Sequence, residues 1–335
     1  MNTELERAVH GHLCIGFAGT SLDDDLRAWL DRGLGGVIAF AHNAESRAQV
    51  AELMGQIREH AGRPILRAVD QEGGRVARLR EGFSVPGPMV EVGASGDENV
   101  ALAHGSLIGG ELADVGFNLA LAPVLDLATN RDSRVIGDRS LGADARMVST
   151  LGAAVIRSIQ ASGVMACAKH FPGHGDTPDD SHLTLPRVAT PRETIRSREL
   201  LPFIAAIQAG VDCVMPGHLI VEAYDAERPA TVSPAVLTEL LRGDLGFKGL
   251  IVSDDLEMAA IKETMSAERA AIEALHAGVD VLLVGHDQAL ADRVVQSLVA
   301  AAEDGELNAT RLLETAARIH RSADVADRQI AKLGE

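Results

Sequence analysis

The chain has 335 residues, 46% of them hydrophobic and 24% charged, with a formal net charge of −17 at pH 7. With no block rich in Lys or Arg to offset it, that charge argues against nucleic acid or an anionic membrane as a partner. Met1 to Arg7 lacks the basic and then apolar pattern of a secretory leader, and no run reaches the 18 uninterrupted apolar residues of a transmembrane helix. Cys14, Cys167 and Cys213 are odd in number and each sits in an apolar run. They suit buried free thiols in a reducing compartment, so a cytoplasmic location is expected.

In chain order, apolar runs at 13–17, 36–40, 65–69, 117–121, 164–168, 213–215, 250–252 and 281–284 predict eight strands. Amphipathic stretches such as 46–60, 98–115, 145–162, 192–209 and 267–277 predict the helices between them. Eight strand–helix units predict a (β/α)8 TIM barrel, α/β in class. Residues 1–335 are expected to form one domain, with the segment 308–335 a helical tail packed outside the barrel. Ala209-Gly210-Val211-Asp212 and Ala277-Gly278-Val279-Asp280 repeat one junction, a helix ending at glycine before the next strand begins. Trp29 lies on a helical pattern and is expected to pack in the core.

In such a barrel the residues just past each strand face the active site, whereas those before it serve stability. Ionisable groups follow five of the strands: Asp70 and Glu72, Asp126, Lys169 and His170, His218, and Asp254 and Asp255. The richest stretch is 169–182, KHFPGHGDTPDDSH, with three histidines in a loop punctuated by Gly and Pro. Asp180 and His182 are two apart. In an extended segment the carboxylate can then reach the imidazole, fix its tautomer and raise its basicity, the wiring of a general acid/base. Gly173 and Gly175 are expected to lend this loop hinge freedom. Strand alternation predicts that Asp255 turns away from the face presented by Asp254.

Seven motifs appear in one order along the chain: VDQEGGRVAR at 69–78, APVLD at 122–126, RVIGDRS at 134–140, KHFPGHGDT at 169–177, DSH at 180–182, MPGH at 215–218 and VSDDLEM at 252–258. Through them the chain resembles glycoside hydrolase family 3, in its single-domain β-N-acetylglucosaminidase form. The resemblance implies a nucleophile at Asp254, an acid/base dyad of His182 and Asp180, and sugar-binding positions at Asp70, Arg78, Arg139, Lys169 and His170. It implies no cofactor and no metal. The implied reaction is retaining removal of terminal N-acetylglucosamine from cell-wall fragments, part of peptidoglycan recycling, with muropeptide as the natural substrate. His174 and His218 are assigned to loop organisation and site lining. Leu141-Gly142 departs from the family pattern, on what is read as the leaving-group side.

The chemistry of these residue types agrees with that assignment. Retaining hydrolysis needs a nucleophile on one face of the sugar and a proton donor at the leaving oxygen. Nearby lysines and arginines are expected to keep Asp254 ionised. A neutral imidazole, unlike a carboxylate, does not repel an anionic acceptor, so a phosphorylase is one alternative and a β-glucosidase of the same family another. From other classes, a metal-dependent hydrolase would use His170, His174, Asp176 and His182 as ligands, and a non-catalytic sugar-binding protein would have no use for the nucleophile. The scarcity of aromatics disfavours a long polysaccharide cleft and favours a pocket for one terminal sugar.

Overall fold

A computed structural model describes residues 3–130, 135–175 and 185–334. Eight parallel strands close into a barrel: β1 (Leu13–Gly16), β2 (Gly36–Ala39), β3 (Leu66–Val69), β4 (Leu119–Ala120), β5 (Met165–Phe171), β6 (Cys213–Pro216), β7 (Leu250–Asp255) and β8 (Val281–Val284). Each pairs with its neighbours in sequence, and β8 returns to β1. The architecture is the (β/α)8 barrel that strand–helix alternation predicts.

Period-two alternation sorts the strand side chains into two layers. In β1, Cys14 joins an interior cluster with Ile38, Leu66, Cys167, Cys213 and Val252, whereas Leu13 and Ile15 pack in the larger cluster shared with the helices. All three cysteines are free and buried. Burial pushes the Cys167 thiol up to about 12, so it stays a neutral, apolar filler. Trp29 is buried in the outer layer, and an Arg32 guanidinium lies over its ring.

The lower end of the barrel is closed by the helix Ala309–Leu333, whose Ile319, Ala323 and Ala326 join the interior cluster. Charge pins it there. Arg67 of β3 is buried and donates to Asp327 at 2.5 Å and to the Gly116 carbonyl at 2.6 Å, while Asn118 donates to the same carboxylate at 3.0 Å. Asp280, the last residue of the repeated junction, takes the Ile251 N–H at 2.8 Å, Arg242 at 2.7 Å and also Arg318 from the helix. The junction itself needs glycine: Gly278 has φ of +115°, where a side chain is strained.

Three elements differ from expectation. β4 is cut to two residues, and beside it the Asn118 side chain takes the Arg67 N–H at 2.7 Å. The predicted helix over 192–209 is broken into Arg192–Thr194, a π-helical turn Ile195–Glu199 and Leu201–Gln208. Pro202 has no N–H for a carbonyl one turn back, so the regular helix cannot run through. β7 runs on to Asp255 through an irregularity, with consequences for the site.

Asp327→Ala would leave Arg67 buried without its charge partner, at an expected cost of about 3–5 kcal/mol. Urea unfolding should show a clear fall in midpoint, whereas Arg269→Ala, which breaks an exposed pair with Glu273, should leave it nearly unmoved.

Candidate active site

A cavity of about 780 Å³ opens at the carboxyl ends of the strands. Among the described residues that line it are Asp70, Arg78, Arg139, Lys169, His170 and Asp254, six of the eight residues singled out from sequence. The other two, Asp180 and His182, lie outside the described residues, as does Asp176.

Asp70 follows β3, and the chain stays extended beyond it, so alternate residues diverge. Gln71 turns to the far side, where its amide holds the loop closed by donating to the Leu79 carbonyl at 2.9 Å and accepting the N–H groups of Arg78 and Leu79. Glu72 points back with Asp70. Lys169 of β5 donates to Asp70 at 2.8 Å and to Glu72 at 2.7 Å, and Arg139 grips Glu72 with two bonds of 2.8 Å. Arg78 stands 3.6 Å from the other oxygen of Asp70. Burial alone would raise Glu72, but Arg139 and Lys169 outweigh it and hold the carboxyl far below the usual carboxylate range. Burial would likewise lower Lys169, yet Asp70 and Glu72 leave its pKa raised. Glu72, Lys169 and Arg139 are therefore held in their charged forms. The sequence places Glu72 among the ionisable groups after β3 without assigning it a partner, and its spacing of two from Asp70 is the signal that it shares the Asp70 face.

The end of β5 is organised by Asp126, which is fully buried. Its carboxylate accepts the His170 backbone N–H at 3.1 Å, the His170 Nδ1–H at 2.7 Å and the His174 N–H at 2.6 Å. Burial pushes Asp126 up, but His170 and His174 pull it below the ordinary aspartate value. An ionised Asp126 fixes the proton of His170 on Nδ1 and leaves Nε2 for the cavity. Gly175 plays a different part from the hinge expected of it: a Cβ there would lie 1.6 Å from the Leu127 carbonyl oxygen, so the residue is glycine for close backbone approach. His218 is buried between the Thr231 hydroxyl at 2.8 Å and the Asp255 carbonyl, to which Nε2 donates at 2.9 Å.

Asp254 and Asp255 both line the cavity, contrary to simple alternation. The pairing of β7 with β8 slips between Val252 and Asp255, and such a bulge turns consecutive side chains to one side. The two carboxyls differ in state. For Asp254, burial is opposed by His218 and His170, by the Asp255 N–H at 2.9 Å and by Lys169, and the net pKa is lowered. Imidazoles thus do most of what lysines and arginines were expected to do. Asp255 accepts the N–H groups of Glu257 at 3.0 Å and Gly285 at 3.2 Å, yet burial pushes it up to about 7, helped by repulsion from Glu257 and Asp254. An ionised carboxylate beside one that shares its proton near neutral pH suits attack by Asp254 and a supporting place for Asp255. Leu141 is buried, and neither it nor Gly142 is among the residues lining the cavity. No group of three metal-binding side chains occurs among the described residues.

The model of the glycosyl hydrolase family 3 N terminal domain matches residues 14–322. The chain is 40% identical over 287 residues to a beta-hexosaminidase of Xanthomonas oryzae pv. oryzae, covering 84% of this chain and 85% of that protein. A family 3 β-N-acetylglucosaminidase from Paenibacillus sp. FPU-7 superposes with a TM-score of 0.92 at 36% identity, over 98% of this chain and 68% of that one. NagZ from Neisseria gonorrhoeae, solved with N-trifluoroacetyl-D-glucosamine, superposes with a TM-score of 0.80 at 30% identity, over 94% and 98%.

Two outcomes follow from the site's charges. Glu72→Gln should strand Lys169 and Arg139 with one carboxylate between them and lower stability by about 3 kcal/mol, seen as a reduced denaturation midpoint. Asp255, whose pKa is raised to about 7, keeps a proton that the unfolded chain releases near the ordinary aspartate value of 3.8. Its contribution to stability is present in full below that lower value and is lost as pH rises through about 7. Denaturant midpoints between pH 4 and pH 8 should therefore slope downward less steeply in Asp255→Asn than in the unmodified protein.

Proposed function

The chain belongs to glycoside hydrolase family 3, and from that premise we propose that it is a retaining exo-β-N-acetylglucosaminidase acting by double displacement. The observation that carries the reading is the cavity floor, where an ionised Asp254 stands with the saturated Asp70–Glu72–Lys169–Arg139 cluster. Asp70, Arg78, Arg139, Lys169 and His170 would bind the hydroxyls of one terminal sugar. Asp254 would attack the anomeric carbon through an oxocarbenium-like transition state, forming a covalent glycosyl-enzyme as the leaving group departs. His182, charged and oriented by Asp180, would give its proton to the leaving oxygen and then take one from the water that releases the sugar.

The reading extends to the chain as a single catalytic unit, residues 1–335, and to cell-wall-derived fragments, muropeptides among them, as substrates in peptidoglycan recycling. A cytoplasmic location goes with it, supported by three unpaired cysteines inside the barrel. No helix among the described residues is long and apolar enough to cross a membrane. Beta-hexosaminidases at 40% identity supply the support for the amino sugar.

The deciding assay compares an aryl β-N-acetylglucosaminide with an aryl β-glucoside, each with and without phosphate. Preference for the first without a phosphate requirement is expected; the opposite preference would replace the reading with a β-glucosidase, and a strict need for phosphate with a phosphorylase. Activity should survive EDTA. Asp254→Ala should cut turnover by several orders of magnitude, and a 5-fluoro glycosyl inhibitor should label the peptide 252–258 at Asp254. His182→Ala should impair substrates with poor leaving groups far more than activated aryl glycosides.

A further inference from the structure

His218, expected from sequence to line the site, stands one layer behind it. Neither His218 nor Thr231 is among the described residues lining the cavity, and both are wholly buried. His218 follows β6, and Thr231 lies beyond it in the short turn Ala230–Val232. They face the part of β7 where backbone pairing gives out. Among the described residues β7 pairs with β6 at Leu250 and Ile251 and no further, and its pairing with β8 slips between Val252 and Asp255. Asp254 therefore stands on a strand end without regular rungs on either side, although attack on a carbon needs its carboxylate in one place.

Side chains supply what the ladder does not. His218 Nε2 donates to the Asp255 carbonyl at 2.9 Å, and the same carbonyl accepts the Met258 N–H at 3.1 Å. The Asp255 carboxylate takes the N–H groups of Glu257 at 3.0 Å and Gly285 at 3.2 Å. With its carbonyl and its side chain both held, Asp255 presents its own N–H to Asp254 Oδ1 at 2.9 Å. Thr231 governs the other edge of the imidazole. Its hydroxyl lies 2.8 Å from His218 Nδ1 and 3.3 Å from the Gly217 carbonyl, and it has one proton to give. Given to Nδ1, that proton leaves the imidazole neutral. Given to Gly217, it leaves an oxygen that accepts Nδ1–H, and the ring becomes an imidazolium donating from both nitrogens. The bond from Nε2 to Asp255 survives in both states, whereas the positive charge exists in one.

We propose that His218 and Thr231 are a positioning pair for the nucleophile: His218 holds the Asp254 carboxylate in place through the Asp255 backbone, and the Thr231 hydroxyl lets the ring carry a positive charge behind it. The inference rests on the glycosidase reading above and adds to it two residues that touch no substrate. Electrostatics agrees with the geometry. Burial raises Asp254, and His218 is the largest of the influences that reverse it, ahead of His170, the Asp255 N–H and Lys169. The His174 imidazole and the Asp255 carboxylate also act on Asp254, with opposite charge.

The test follows covalent labelling of Asp254 by a 5-fluoro N-acetylglucosaminyl fluoride across pH, a reagent whose leaving group needs no proton donor. In the unmodified protein the rate should fall on the acid side as Asp254 takes up a proton. Thr231→Val removes the hydroxyl at nearly constant shape, so an imidazolium loses its Nδ1 acceptor and Asp254 loses the charge that lowers its pKa. The fall should then move to higher pH by about one unit, and Thr231→Ser should return it. His218→Gln keeps an N–H donor near the Nε2 position without the charge. It should show the same displacement, with a smaller loss of plateau rate than the roughly tenfold expected of His218→Ala. The inhibition constant of N-acetylglucosamine should not change in these variants, since neither residue touches the sugar. The pH of the fall is independent of how much protein is folded, so lost stability alone does not imitate the effect. A fall at unchanged pH in both Thr231→Val and His218→Gln, with Asp254 labelled in the unmodified protein, overturns the positioning pair and leaves the glycosidase reading intact. Labelling elsewhere, or none, in the unmodified protein overturns both.

Discussion

One buried carboxylate holds the cavity together. Glu72 is almost wholly removed from water and binds Arg139 and Lys169 at once. Each cation alone would be costly at that depth, and each is stabilised because Glu72, with Asp70, neutralises it. The exchange is mutual, since the same cations keep Glu72 ionised. Three separate elements, the extension of β3, the end of β5 and the short turn Gly137–Arg139, are thereby locked together. Ion pairs that satisfy one another leave the cavity lined by donors and acceptors already fixed in place, the preorganisation that a binding site needs.

Asp126 works by the same rule with backbone as its partner. Three N–H donors on one carboxylate anchor His170 and His174 and tie the strand end to the root of the loop that follows. Asp254 is then kept ionised largely by imidazoles, His218 and His170, rather than by the nearer-seeming lysines and arginines. Lys169, which also pairs with Asp70 and Glu72, adds to the effect of the imidazoles.

The two ends of the barrel divide stability from chemistry. At the lower end, Arg67–Asp327 and Asp280 with its two arginines clamp the Ala309–Leu333 helix against the interior cluster. At the upper end, the strand termini carry charged groups on irregular backbone, including the slipped pairing of β7. Local irregularity there is tolerated because the layers beneath it are packed and the opposite end is fixed.

Much of this was legible in the residues alone. Period-two and helical periodicities set eight strand–helix units, and the helix-ending glycines marked their junctions, because burial patterns and φ > 0 are local properties of the chain. The motifs likewise delivered Asp70, Arg78, Arg139, Lys169, His170 and Asp254, since groups that follow a barrel strand share one face whatever the details. What only the tertiary structure decided were relations between distant segments: Glu72 as the shared partner of Arg139 and Lys169, and Asp126 as the anchor of His170. Asp255 shows the reason most plainly. Alternation is a rule for a regular strand, and whether β7 stays regular depends on its register against β8, an interaction that no stretch of sequence contains by itself.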